Sequence, residues 1–129
     1  MEKVEYWLDL ADEDILAAKV LLEGKRYLHA GFFCHLIAEK ALKAVVMSVT
    51  AEAPPRIHDL TRLAECGGIF DELSKEQFDL LETLNPLNIE ARYPEYKEKI
   101  AKILTPQKTA DILKETEVFL CWIKKRLEK

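Results

Sequence analysis

The run Tyr27-Leu28-His29-Ala30-Gly31-Phe32-Phe33-Cys34-His35-Leu36-Ile37-Ala38-Glu39-Lys40-Ala41-Leu42-Lys43-Ala44-Val45-Val46-Met47-Ser48-Val49-Thr50 decides how this chain folds. Phe33, Ile37, Ala41, Ala44, Val45 and Ser48 recur at the three-to-four spacing of one helical stripe, and Leu36, Lys40, Lys43 and Met47 form a second stripe beside it. A helix that is apolar over more than one face belongs at the centre of a bundle, packed by neighbours on several sides. Its small residues, Ala30, Gly31, Ala38, Ala41 and Ala44, let those neighbours approach closely.

Outward from this segment the periodicity continues. Trp7, Leu8, Ala11, Ile15, Ala18 and Leu22 form one stripe and predict a helix over 4–23, closed by Gly24. Pro54-Pro55 breaks the chain, and a short helix is expected from Asp59 to Cys66, ended by Gly67-Gly68. Ser74 and Gln77 have the spacing of a capping box, so a helix is expected over 74–85, with Phe78, Leu80, Leu81 and Leu84 buried and Pro86 ending or kinking it. Residues 85–94 are irregular, 95–104 form another short helix, and Thr105-Pro106 opens a last helix near 107–127. Its buried face reads Ile112, Thr116, Phe119, Ile123 and Leu127, with Lys124, Lys125 and Arg126 at the negative end of its dipole. The predicted fold is all-α: one domain over 1–129, an up-down bundle of four main helices plus one or two short ones.

Composition supports this and removes several function classes. With 129 residues, 49% of them apolar and 33% charged, the chain can bury a real core without staples. Four glycines and five prolines leave few turns, which favours long helices. A net charge of −4 argues against a whole-surface nucleic-acid binder, though not against a local basic pocket. No apolar run reaches the roughly 20 residues that span a bilayer. Met1-Glu2-Lys3-Val4-Glu5 does not read as a signal peptide, so the expected compartment is the cytoplasm, with no membrane partner. Cys34, Cys66 and Cys121 are widely spaced in apolar sequence and are expected to be buried free thiols. No glycine-rich phosphate loop, Gly-x-Ser-x-Gly, His-Glu-x-x-His or Cys/His cluster is present, so no metal and no cofactor is expected.

The chemistry that remains centres on Ala38-Glu39-Lys40-Ala41-Leu42-Lys43-Ala44. Glu39 and Lys43 stand four apart in the favourable acid-before-base order, which in a solvated setting is only an intrahelical pair. In a central helix such charges need partners or border a pocket. Arg56-Ile57-His58-Asp59-Leu60 offers an imidazole, and a carboxylate that could equally be a helix cap. Ala91-Arg92-Tyr93-Pro94 offers a guanidinium beside an aromatic ring, able to bind phosphate and stack on a base, or simply to satisfy Glu39. The candidate binding residues are Glu39, Lys43, His58, Asp59, Arg92 and Tyr93. The expected geometry has Arg92 facing Glu39, Lys43 one turn away, Tyr93 flanking the guanidinium and His58-Asp59 closing the rim. Of the other histidines, His29 is expected at the surface and His35 on the side of the helix, lining a groove.

The ordered set of Trp7 through Ala18, the Ala38–Ala44 segment, His58-Asp59-Leu60, Ala91-Arg92-Tyr93-Pro94 and the last helix from Ala110 through Phe119-Leu120-Cys121-Trp122-Ile123 resembles the HEPN family of small prokaryotic helical proteins. The resemblance covers nearly the whole chain. It implies a helical bundle that dimerises, consistent with the apolar excess of the second and last helices. It also implies association with a small nucleotidyltransferase, as in toxin–antitoxin modules, and contact with nucleotides or RNA. Many HEPN proteins are metal-independent ribonucleases whose signature is an arginine followed, after four to six residues, by a histidine. This sequence departs from it: no histidine follows Arg92, and His58 comes too soon after Arg56. Little ribonuclease activity is therefore expected, and no catalytic residue is assigned. A binding and partner module is the leading expectation. A ribonuclease using Arg92 and His58 in an unusual arrangement, or a ligand-free interaction bundle, are the alternatives.

Overall fold

The computed structural model describes residues 2–88 and 94–128. Among them the chain forms six α-helices and no strand: α1 (Glu2–Glu23), α2 (Tyr27–Thr50), α3 (Leu60–Cys66), α4 (Lys75–Leu84), α5 (Pro94–Ile103) and α6 (Pro106–Leu127). Single 3-10 turns at Phe70–Glu72 and Asn85–Leu87 flank α4. The all-α bundle is as expected, and α2 is its axis, touched by each of the other five helices.

Ala30, Cys34, Ile37, Ala38, Ala41, Leu42, Ala44 and Val45 of α2 are wholly buried. Cys34, Ile37, Ala38, Ala41, Leu42 and Val45 share one core with Ala11, Ile15 and Ala18 of α1, Leu60 and Leu63 of α3, and Ile112, Phe119 and Ile123 of α6, while Ala44 packs with Val4 of α1 and Met47. Gly31 permits the close approach read from the sequence, since a Cβ there would stand 2.7 Å from a methyl of Leu104. Two ion pairs, Lys19–Glu117 and Lys124–Asp12, fix α1 antiparallel to α6, and Lys40 reaches across from α2 to Asp14 of α1.

The helix ends show where local chemistry was legible. Ser74 and Gln77 make the expected reciprocal capping box. Thr105 caps α6 through Lys108 N–H, with Pro106 in the first turn where its missing N–H costs nothing. Pro86 sits in the 3-10 turn that follows α4. At the end of α1 the left-handed residue is Lys25 (φ 61°) rather than Gly24. Arg26 N–H bonds to Leu21 O and Lys25 N–H to Leu22 O, the paired bonds that close a Schellman turn. Gly24 is therefore one residue too early to carry the reversal.

Two readings of burial need correction. Phe78 is 36% exposed, resting edge-on against Phe70 at a centroid distance of 6.0 Å, because the short α4 is covered on the face of Leu80, Leu81 and Leu84 only. All three cysteines are free, but only Cys34 is buried; Cys66 and Cys121 are exposed. Burial pushes the Cys34 thiol up to about 12, against the lowering effect of its hydrogen bond with Thr116, so it behaves as an inert core group. Among the described residues no helix is long and apolar enough to cross a membrane.

Candidate functional site

The buried end of the expected cluster exists. Glu39, on the central helix, is only 6% exposed. One carboxylate oxygen accepts from Lys43 Nζ at 2.8 Å and the other from His58 Nδ1 at 3.1 Å. The Lys43 ammonium also lies 5.5 Å from the centroid of the Trp7 ring on α1, a cation–π contact. Burial raises the Glu39 carboxyl, but the hydrogen bonds and charge of Lys43, and the bond from His58, outweigh it and hold the group below its ordinary range.

His58 reaches this carboxylate from the segment between α2 and α3, with its side chain 55% exposed. Nδ1–H is donated inward to Glu39, which leaves the other ring nitrogen, Nε2, outside this bond on a side chain more than half exposed. The backbone of the same residue is held from below. His35 is wholly buried, and its Nε2–H donates to the His58 carbonyl at 2.9 Å.

His35 is the residue that sequence reasoning placed in a groove and the structure places in the core. Its Nδ1 stands 3.5 Å from Glu39 Oε1, outside hydrogen-bonding geometry, and has no partner among the described residues. The available signal was the spacing of four between His35 and Glu39, which puts both on one helical face. Desolvation is the largest influence on His35 and lowers its pKa, although the Glu39 charge and the His58 carbonyl pull the other way. A histidine whose folded pKa is depressed contributes stability that is present above its unfolded value, about 6.5, and lost as pH falls through the folded value. Glu39, also depressed, adds a second loss that starts near pH 4.5 and below. Thermal melts at pH 7.5 and 5.5 are therefore expected to show a clear loss for the wild type and a much flatter response for His35→Gln. Equal slopes in the two proteins would contradict this assignment.

Asp59 serves chiefly as a cap. Its side chain accepts from the backbone N–H groups of Thr61 and Arg62 at the start of α3, and from Asn85 Nδ2. The hydroxyl of Thr61, then burial working in the opposite direction, then the Arg62 N–H leave its carboxyl below the usual value. Asn85 in turn accepts from Leu60 N–H, tying the α3 start to the end of α4. His29 is exposed, as expected. Arg92 and Tyr93 lie outside the described residues, so the expected Arg92–Glu39 contact does not enter this geometry. The structure thus brings Glu39, Lys43 and His58 together, adds His35 and Trp7, and sets Asp59 beside them as the helix cap. Among the described residues no group of three or more His, Cys, Asp or Glu side chains is placed to hold a metal ion.

No curated protein matches the sequence. The crystal structure of an archaeal HEPN homologue is similar to this chain with a TM-score of 0.65, covering 97% of this chain and 98% of that one at 21% identity. At that identity the likeness establishes the fold alone. The sequence itself matches the HEPN domain over residues 4–127, almost its whole length. The chain belongs to the HEPN domain family.

Proposed function

We propose that this protein is a binding and partner module, a HEPN bundle that associates with a small nucleotidyltransferase and engages a nucleotide or RNA through the face bearing His58. The observation that carries the reading is the arrangement beneath that residue. A buried carboxylate and a buried imidazole are both spent on holding one half-exposed histidine, Glu39 by its ring and His35 by its carbonyl. Fixing a surface side chain in this way is support for a contact residue, since a merely solvated histidine needs no such frame. Lys43 supplies positive potential behind it, although its ammonium is already engaged by Glu39 and Trp7. Arg92 and Tyr93 complete the proposed site as phosphate and base contacts.

The test is a titration of the protein with nucleotides and short single-stranded RNA, followed through the His58 ring resonances. Binding is expected to move those resonances and to weaken roughly tenfold in His58→Asn, about 1.4 kcal/mol. Unmoved His58 signals throughout the titration would reject the site. Copurification with a coexpressed small nucleotidyltransferase tests the partner arm.

A second reading is favoured by one feature, the Glu39–His58 hydrogen bond, which orients an imidazole as an acid–base group is oriented. It is the ribonuclease in which His58 works with Arg92. Cleavage of RNA by protein freed of contaminants, abolished in both His58→Asn and Arg92→Ala, would establish it over the binding module. Homodimerisation belongs to the same proposal. Apart from Val49 near its end, the large apolar side chains of α2 are buried or half-buried within the bundle, and the exposed Leu16 and Val20 of α1 and Val118 of α6 are what a second copy would cover.

A further inference from the structure

At the end of the bundle where α1 turns into α2, a cleft of about 320 Å³ opens against α5. Lys25, Arg26, His29 and Lys97 line it, with Tyr27 and Leu104 forming its less polar side. All four basic side chains are exposed, and none takes part in an ion pair among the described residues. Among the described residues no carboxylate lines the cleft. In a chain of net charge −4, three fixed cations and an imidazole gathered with no acid beside them among the described residues is a local reversal of the overall balance.

Lys25 and Arg26 follow the C-terminal end of α1, whose negative dipole end suits them, but the start of α2 beside them is not matched in the same way. The N-cap of α2 is Arg26, which makes no side-chain cap hydrogen bond, and the first turn holds no acidic residue. The positive end of a 24-residue helix therefore faces cations, where helices ordinarily place carboxylates. An anion in the cleft removes that repulsion. The turn itself gains nothing from lysine at position 25, since its φ of 61° is a conformation that suits glycine better.

We propose that this cleft is a phosphate-binding site, taking either the phosphates of a free nucleotide or the backbone phosphates of single-stranded RNA. It shares no residue with the His58 face and stands whether or not that face binds a ligand. The cations neutralise the phosphate, and Tyr27 offers a flank for the attached base.

The experiment is fluorescence anisotropy with a labelled short single-stranded RNA, competed with adenosine triphosphate and with inorganic pyrophosphate. The proteins compared are the wild type, the combined variant Lys25→Gly/Arg26→Gln/Lys97→Gln, and His58→Asn. The combined variant is expected to lose roughly tenfold or more in affinity, with a shallower salt dependence, by about 0.7 in slope for each cation removed. Lys25→Gly alone is expected to melt no lower than wild type, which separates lost binding from lost folding. Competition by the triphosphate identifies a nucleotide site, and RNA binding without it identifies a backbone site. Unchanged affinity and salt slope in the combined variant overturn the proposal; a loss in His58→Asn reports on the separate His58 face, and the cleft then requires a further loss when the combined variant is added to it.

Discussion

Glu39→Ala is expected to destabilise the protein by about 3 kcal/mol, the scale on which removing one partner strands a buried charge. The carboxylate is 6% exposed and satisfies two donors at once, Lys43 and His58. Without it the Lys43 ammonium, on a side chain 11% exposed, keeps among the described residues only the Trp7 ring, which is worth roughly 0.5–2 kcal/mol. His58 loses the bond that orients its ring but sits near enough to water to recover most of that cost. Most of the penalty therefore comes from the lysine, and Glu39→Ala/Lys43→Met should regain a large part of it. Urea unfolding of wild type, both single variants and the double variant measures the coupling directly. A loss below about 1 kcal/mol in Glu39→Ala would mean that the pair behaves as solvated surface.

Phe119→Ala should cost as much or more, about 3–5 kcal/mol. Among the described residues Phe119 is the largest side chain wholly enclosed by the bundle, 1% exposed on the inner face of α6, with its ring tilted against Trp122 at 5.9 Å. Its neighbours belong to a core shared by several helices, so they cannot all collapse into the vacated volume. The adjacent Val118 is 63% exposed, and Val118→Ala should change stability by no more than about 0.5 kcal/mol. Parallel denaturation of these two variants checks the assigned face of α6. Comparable losses would mean that the helix is rotated from the orientation described.

The fold was legible because helical period and burial coincide in the long helices. Residues that share a stripe in α2 and α6, such as Ile37, Ala41 and Val45 or Ile112, Phe119 and Ile123, are the residues that pack. Faces were less legible in short or peripheral elements. Phe78 and Cys121 sit among apolar neighbours in sequence, yet their positions turn outward. Gly24 illustrates the limit of punctuation: the glycine marks the end of α1, but hydrogen-bond count places the reversal at Lys25.

In the candidate site, Glu39 and Lys43 were readable from their spacing in an apolar helix, and His58 from its place between Arg56 and Asp59 after the double proline. His35 was not, because what makes it matter is a carbonyl contributed by a loop 23 positions away. No periodicity encodes that contact. Asp59 was readable in both of its possible roles, and the geometry of α3 gives it the cap.

A helix touched by every other helix cannot open by itself. Exposing the amides of α2 to solvent requires separating α1 from α6 and lifting α3 and α4, so its middle turns exchange hydrogen only when the whole structure comes apart. The anchors Glu39, His35 and Lys43 all stand on that segment. His58, by contrast, hangs from a connection between helices, joined to the axis by side-chain bonds alone. The arrangement sets a slowly exchanging base beneath the imidazole, so what holds His58 in place is renewed by a part of the fold that opens last.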